Sequence, residues 1–230
     1  MSKSIPFIFC LALTVFAYGV SRVLAKRHPT PLTSPVFFST LLIVFVLYAV
    51  GLNYQDYKPA KDVLVLLLGP ATVALAVPVY RNRATLRTHM LPAFAGIVVG
   101  CLATISVVIA LSAAFNFSSV IARSMSVKSV TAPIAIELAG ILKGDPALAA
   151  GFVIATGMIG TMLGPWLLTR SGIVHPLARG LALGTVSHGQ GTAQALTEGT
   201  LQGAIAGIAM GLTAIGTSFV LPLVLSMIFE

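Results

Sequence analysis

A short polar stretch near the middle of the chain carries the residues best suited to bind an anion. Lys128, Ser129 and Thr131 are followed by Pro133, and proline is well tolerated in the first turn of a helix. A helix is therefore expected to begin near Ala132, with its free amide groups next to the lysine. Helix N-termini attract anions, so this arrangement predicts a site for a carboxylate.

A second polar cluster lies in the segment 176–198, which contains the sequence GTVSHGQGTAQAL. Its glycines would let the backbone approach a ligand closely, and a helix beginning at Thr192 would point its amides back at the cluster. His188 is the candidate for coupling to protons, because its unperturbed pKa of about 6.5 lies near neutrality. We expect one polar cavity to be formed by Lys128, Ser129, Thr131, Ser187, His188 and Thr192.

Each charged residue also has a second interpretation. Lys128 could instead neutralise Glu137, and the sequence favours this ion pair as much as direct contact with a substrate. His188 could be a hydrogen-bond donor between helices, although ionisable groups inside a membrane are functional by default. Arg123 is expected to extend its long side chain to the outer interface rather than to bind a ligand.

The chain lacks the sequence signatures of an enzyme or of a cofactor site. It contains no G-x-S-x-G motif and no phosphate-binding loop with a lysine. Its four histidines and two cysteines do not cluster with metal-ligand spacing. We therefore expect no catalytic residue, no metal, no cofactor and no ATP-driven transport by this chain alone.

The composition indicates that membrane helices must position the two polar clusters. The 230 residues are 57% hydrophobic and 9% charged, with a mean hydropathy of +0.99, whereas about 25% of residues are charged in a soluble domain. The chain has room for about seven or eight spans of some 20 residues. Its net charge of +8 lies in short loops between apolar runs. The positive charge is therefore better explained by orientation of the chain in a lipid membrane than by binding to a nucleic acid.

Loop charge predicts an all-α integral membrane protein with about seven transmembrane helices and one re-entrant hairpin. Basic loops are cytoplasmic by the positive-inside rule, which places the N-terminus outside and the C-terminus inside. The segment 118–141 then begins and ends on the same face, so it is predicted to enter the membrane and return. The predicted spans are 5–24, 36–52, 63–80, 93–115, 147–168, 176–198 and 204–229.

An internal repeat suggests how this single transmembrane domain, 1–230, is organised. AFAGIVVG at 93–100 matches AIAGIAMG at 204–211 in five of eight positions. Repeat one is predicted at about 35–115 and repeat two at about 147–229, with opposite directions in the membrane. An inverted repeat with broken helices points to a transporter site at mid-membrane. Gly69-Pro70 is the predicted break in repeat one, and a helix that continues past the proline is the alternative.

Three motifs resemble those of the LrgB/CidB family of bacterial membrane proteins. They are LLGPATVALAVPVY, KSVTAPIAIE and GTVSHGQGTAQAL, and the resemblance covers nearly the whole chain. Family members are described as antiholin-like, and relatives include the plastid glycolate/glycerate translocator and proteins associated with pyruvate uptake. The resemblance therefore implies small monocarboxylates or hydroxy acids as substrates. The alternative function is modulation of murein hydrolase activity and lysis.

The resemblance also implies a location, a partner and a set of site residues. The location is the bacterial inner membrane, and the partner is a small LrgA/CidA-like membrane protein. Glycine-rich spans, as at Gly207 to Gly211, favour helix packing and a homo-oligomer. Some relatives carry an apolar residue where Gln190 stands, which implies a different substrate range. The positions that match the family motifs are Gly69, Pro70, Thr72, Lys128, Ser129, Thr131, Pro133, Ser187, His188, Gly191 and Thr192.

Overall fold

The structure is a computed structural model that describes residues 4–28, 30–74 and 76–229. Within these residues the regular structure is helical and includes no strand, which confirms the all-α prediction. The helices divide between two compact units, one ending at residue 75 and the other beginning at residue 76.

The described part of the first unit contains three long helices. α1 (Ser4–Arg27) packs against α2 (Pro35–Val50) and against α3 (Tyr54–Ala74). A short 3₁₀ turn at Pro31–Thr33 precedes α2. Gly51 ends α2 with a φ angle of 74°, a left-handed conformation that glycine adopts without strain.

The first predicted helix break is not found where the sequence analysis placed it. α3 continues through Gly69 and Pro70 to Ala74, so the alternative of a helix that continues past the proline holds. Proline removes one backbone donor from a helix, but membrane helices tolerate this loss because nearby groups satisfy the freed carbonyl. Gly69 and Pro70 are exposed. The side chain of Thr72 lies outside the described part of the structure.

The second unit contains the two polar clusters. Its central helix packs against three long neighbouring helices. The helices among the described residues are α4 (Ala76–Arg81), α5 (Arg83–Thr88), α6 (Met90–Ala114), α7 (Ser119–Ser126), α8 (Ala132–Ile141), α9 (Pro146–Arg170), α10 (Pro176–Glu198), which is the central one, and α11 (Thr200–Phe229).

The surface of the long helices is that of a membrane protein. On α6, Leu91, Phe94 and Val99 are exposed, whereas Ala93 and Ile97 are buried. Large apolar side chains therefore face outward, as expected where lipid replaces water. The prediction of about seven spans is not confirmed as a count. In the described residues, five stretches have the length and hydropathy to cross a membrane: Pro6–Arg27, Tyr54–Arg81, Met90–Ala114, Pro146–Arg170 and Thr200–Met227.

α10 folds back on itself instead of running straight. Its backbone leaves the helical conformation at Ser187 and His188. Nε of Arg179 donates a hydrogen bond to Oε2 of Glu198 at 2.7 Å, although the two residues are 19 positions apart. In a straight helix that separation would span about 28 Å. α10 is therefore two antiparallel arms, which we call α10a (176–187) and α10b (188–198).

The reversal of α10 corrects the predicted topology, which counted 176–198 as a crossing and placed the C-terminus inside. Both ends of α10 lie together, and Arg179 also donates to Oγ1 of Thr169 near the end of α9. α11 therefore begins at the end of the unit where α9 finishes. Its other end packs beside the turn after α8, where Leu142 contacts a cluster containing Leu221 and Leu225. Loop charge missed the reversal because it depends on a contact between residues distant in sequence.

We expect the C-terminal part of α11 to be accessible from the same membrane face as the turn after α8. In a chain whose two buried cysteines are replaced by serine, Ser226→Cys and Lys143→Cys should react with an impermeant thiol reagent from one side. Ser171→Cys should react only from the opposite side; all three positions are exposed. Labelling of Ser226→Cys and Ser171→Cys from the same face would contradict the reversal of α10.

The chain also turns back on itself between α7 and the start of α9. Oγ of Ser124 on α7 accepts a hydrogen bond from the backbone amide of Asp145 at 2.7 Å. The residues between them therefore leave one point and return to it, and 127–131 connect α7 to α8. The re-entrant placement of this hairpin in a membrane stays a prediction.

Candidate anion-binding site

The two reversals of the chain meet at one cavity in the second unit. The cavity has a volume of about 380 Å³, and its lining includes Lys128 from the connection between α7 and α8 and Ser187 from the turn of α10. The remaining lining comes from α9 and α10a and is mostly apolar, with Thr156 as a further polar residue. A few polar groups in an apolar cavity of this size are typical of small-molecule sites.

Lys128 supplies the positive charge of the cavity. It is half-buried, and its Nζ donates a hydrogen bond to Oγ of Ser129 at 3.1 Å. The ion pairs among the described residues are Lys61–Asp62 and Arg179–Glu198, while Glu137 lies exposed on α8. The alternative pairing of Lys128 with Glu137 is therefore wrong. A partly buried ammonium group without a counter-ion is costly in apolar surroundings, so an anion beside it would be stabilising.

The start of α8 lies where the sequence predicted it. Thr131 is the N-cap residue, in an extended conformation, and Ala132 is the first helical residue. Within the described structure the hydroxyl of Thr131 makes no capping hydrogen bond. The first amides of α8 are therefore not satisfied by their own N-cap side chain. They lie a few residues beyond Lys128, as expected for an anion site built on a helix N-terminus.

His188 is held in an unusual backbone conformation at the turn of α10. Its φ angle is 42° and its ψ angle −131°, a region that costs a non-glycine residue on the order of 1–3 kcal/mol. Its ring Nε2 lies 3.0 Å from the carbonyl oxygen of Val153 on α9. A carbonyl oxygen only accepts, so Nε2 carries the proton in this contact. The contact helps to hold the turn of α10 against α9.

Two glycines of α9 allow this close approach. A Cβ atom at Gly157 would lie 2.5 Å from Oε1 of Gln190 and 2.8 Å from Nε2 of His188. A Cβ atom at Gly160 would overlap the hydroxyl of Ser187. The sequence analysis missed this role, although the short spacing of the two glycines was visible and is typical of close helix packing.

Of the six residues expected to form one polar cavity, Lys128 and Ser187 line it, whereas the lining does not include Ser129, Thr131, His188 or Thr192. Oγ1 of Thr192 donates to the carbonyl of His188 at 2.9 Å and lies 3.9 Å from Sδ of Met210 on α11. Gly191 lets the two arms of α10 touch, because a Cβ atom there would overlap the carbonyl oxygen of Leu183. Thr192 and Gly191 therefore stabilise the turn of α10 through contacts within α10 and with α11. Gly69 and Pro70 belong to the first unit.

Comparison with known proteins gives matches along nearly the full chain. The model of a family described as the LrgB-like family matches residues 14–227. The uncharacterized protein YxaC of Bacillus subtilis (strain 168) is 37% identical over 97% of both chains. The holin-like protein CidB of Staphylococcus aureus (strain Mu50 / ATCC 700699) is 30% identical over 100% of both chains. No solved structure matches.

Proposed function

Because this chain belongs to the LrgB-like family, we propose that it is a secondary transporter of small monocarboxylates and hydroxy acids. The position of Lys128 is the observation that supports this proposal most strongly. It borders a cavity between two chain reversals, and none of the ion pairs in the described part of the chain includes it. A partly buried ammonium group without a counter-ion is stabilised by an anion, and a carboxylate supplies one.

The neighbours of Lys128 fit the carboxylate of such a substrate. The hydroxyl of Ser129 already accepts a hydrogen bond from Nζ of Lys128, so its own proton is free to point elsewhere. The hydroxyl of Ser187 lies on the same cavity. Hydrogen bonds from charged and neutral donors to a carboxylate are short and strong, and the first amides of α8 add the favourable end of a helix dipole.

The charge and the walls of the cavity favour a small acid with one carboxylate. Lys128 is the one charged residue among those that line the described cavity, and one ammonium group balances one carboxylate. The apolar walls from α9 and α10a suit a short carbon chain rather than a second charged group. Pyruvate, glycolate and glycerate are small acids with one carboxylate. His188 is the candidate for coupling their transport to protons.

The relatives named holin-like proteins support a second candidate function. In that alternative the chain acts with a small LrgA/CidA-like membrane protein in the bacterial inner membrane and modulates murein hydrolase activity and lysis. The same partner belongs to the transport proposal as a protein that acts beside this chain. The two candidates differ in whether the chain itself moves a solute.

Uptake by the purified chain in proteoliposomes tests the proposal. We expect accumulation of labelled pyruvate, glycolate or glycerate, first without and then with the LrgA/CidA-like partner. Imposing a proton gradient tests the coupling assigned to His188, because His188→Gln should then flatten the pH dependence of uptake. Absence of uptake in every condition, with a folded protein that still associates with its partner, would favour the lysis-modulating alternative.

A further inference from the structure

A groove beside the first turns of α6 combines two arginines with apolar walls. It has a volume of about 230 Å³, and the charged residues of its described lining are Arg83 and Arg87 on α5. The remaining lining is apolar and comes mostly from α6 and α11, with Phe94 and Leu212 as examples. The groove shares no described lining residue with the cavity at Lys128, so it is a separate site.

The charge lies at one end of the groove, and the apolar surface extends away from it. Ala93 belongs to a buried cluster with Ile205, and Ile97, one turn further along α6, belongs to a cluster with Ala209. α6 and α11 therefore run side by side in the same direction. From Met90 to Ile97 the groove follows α6 for about 10 Å, and its lining there is apolar. A ligand that fills the groove needs an anionic end and a hydrocarbon end.

The two arginines are not neutralised by a carboxylate of the described residues. Neither Arg83 nor Arg87 belongs to the ion pairs of that part of the chain. The basic segment 81–89 that contains them has no aspartate or glutamate. The guanidinium group of arginine matches a phosphate with two parallel hydrogen bonds, so a phosphate group suits this end of the groove.

Tyr80 holds the side chain of Arg83 beside the groove. Nη1 of Arg83 donates a hydrogen bond to the carbonyl oxygen of Tyr80 at 3.0 Å, and Cζ of Arg83 lies 4.3 Å from the centre of the tyrosine ring. A guanidinium group has five N–H donors, so most of them stay available to an anion. Tyr80 itself is exposed, and exposed tyrosines are enriched at the level of the lipid headgroups.

We propose that this groove binds an anionic phospholipid, with the phosphate at Arg83 and Arg87 and one acyl chain between α6 and α11. Basic pockets at the ends of membrane helices attract anionic headgroups, and the apolar walls suit a hydrocarbon chain. Inorganic phosphate would leave the apolar length unfilled. An apolar helix of a partner protein would leave the two charges unmatched, whereas a phospholipid matches both parts of the groove.

The unaltered chain tests this inference without a mutation. The protein is reconstituted in vesicles of equal parts phosphatidylglycerol and phosphatidylcholine with the same acyl chains, extracted with detergent, and the retained lipids are quantified by mass spectrometry. We expect phosphatidylglycerol to be enriched about tenfold, because basic residues near a membrane surface strengthen the binding of anionic lipid. Excess inorganic phosphate in the wash should not remove this lipid, since phosphate has no acyl chain.

Two double variants locate the bound lipid. Arg83→Gln with Arg87→Gln should bring the enrichment close to one, and the unfolding midpoint should change little because both side chains are exposed. Arg81→Gln with Arg170→Gln is the matched control. It removes the same charge from exposed residues of the same unit that do not line the groove, so the enrichment should remain. The pair of variants separates a bound lipid from the general attraction of basic loops to a membrane.

A third variant tests the apolar part of the groove. Leu212→Trp keeps both arginines but fills the space between α6 and α11 with an indole ring, since Leu212 lines the groove. We expect it to lower the enrichment of phosphatidylglycerol about as much as the loss of the arginines does.

Several results would overturn the inference. Equal retention of the two lipids by the unaltered chain would exclude selectivity for an anionic headgroup. Undiminished enrichment without Arg83 and Arg87, or its loss in the control, would show that the lipid is not held at this groove. Release of phosphatidylglycerol by inorganic phosphate, or unchanged enrichment in Leu212→Trp, would exclude the acyl chain from the groove. None of these measurements depends on transport, so they are independent of the proposed function.

Discussion

Replacing Lys128 by alanine is expected to abolish the uptake of small carboxylates while the protein still folds and inserts. Lys128 borders the cavity, and no ion pair of the described residues depends on it. Lys128 is the one cation among the described residues that line this cavity, so its truncation should lower the affinity for an anion on the order of 100-fold. Uptake of labelled substrate into proteoliposomes measures the loss, and thermal unfolding in detergent verifies the fold.

Two further variants separate the charge of Lys128 from a general effect on the protein. Lys143→Ala removes an exposed lysine of the same unit that does not line the cavity, and uptake should be unchanged. Lys128→Arg keeps the charge in a larger planar group, so some anion binding should be retained. Normal uptake by Lys128→Ala would show that the lysine is not the anion site.

Breaking the Arg179–Glu198 ion pair is expected to cause the largest loss of stability. The two side chains are only 12% and 15% exposed, and they join the ends of α10a and α10b. Arg179 also donates to the carbonyl oxygen of Ile173 at 2.9 Å. Arg179→Met would leave the carboxylate of Glu198 buried without a partner, at a cost on the order of 3–5 kcal/mol. Thermal unfolding in detergent should show a midpoint lower by ~10 °C.

The exposed pair Lys61–Asp62 provides the matched control for this loss. Its side chains are 40% and 57% exposed, and exposed ion pairs contribute little to stability. Lys61→Met should therefore change the unfolding midpoint only slightly. The double replacement Arg179→Met with Glu198→Met should be less damaging than Arg179→Met alone, because no charge is then left unpaired. Equal midpoints for Arg179→Met and Lys61→Met would show that the pair does not hold α10 together.

Helices whose limits follow from hydropathy were predicted well from the sequence. The predicted span 93–115 corresponds to α6 (Met90–Ala114), and 147–168 corresponds to α9 (Pro146–Arg170). The length of an apolar run is set by the thickness of the bilayer. The limits of such a helix can therefore be predicted without knowledge of tertiary contacts. The start of α8 at Ala132 was also predicted, because the signal of a proline in a first helical turn is local.

The path of α10 was not predictable in the same way. Its reversal depends on Arg179 and Glu198, which are 19 positions apart, and on glycines that serve packing. Gly184 was interpreted as a place for a ligand to approach, but a Cβ atom there would overlap the carbonyl oxygen of Ala206 on α11. The same residue type suits close contact with a ligand and with another helix, and sequence alone does not distinguish the two uses.

The sequence analysis identified the charged residue of the candidate site, but it predicted only part of the arrangement around that residue. Lys128 and Ser187 lie on one cavity, but Ser129, Thr131 and His188, which were expected there too, are not part of its lining. Thr192 turns instead toward Met210. The orientation of a side chain around a short helix depends on where the break falls, and the break lies at Ser187-His188 rather than next to Thr192.

The absence of a carboxylate partner for Lys128 in the described residues has an electrical consequence. With Lys128 protonated, an empty site carries one positive charge, whereas a site holding a monocarboxylate is nearly neutral. Moving one elementary charge across a membrane potential of 100 mV changes the free energy by about 2.3 kcal/mol. In a transport cycle, the rate at which the empty protein changes conformation would therefore depend on voltage. The rate for the loaded protein would depend on voltage only weakly.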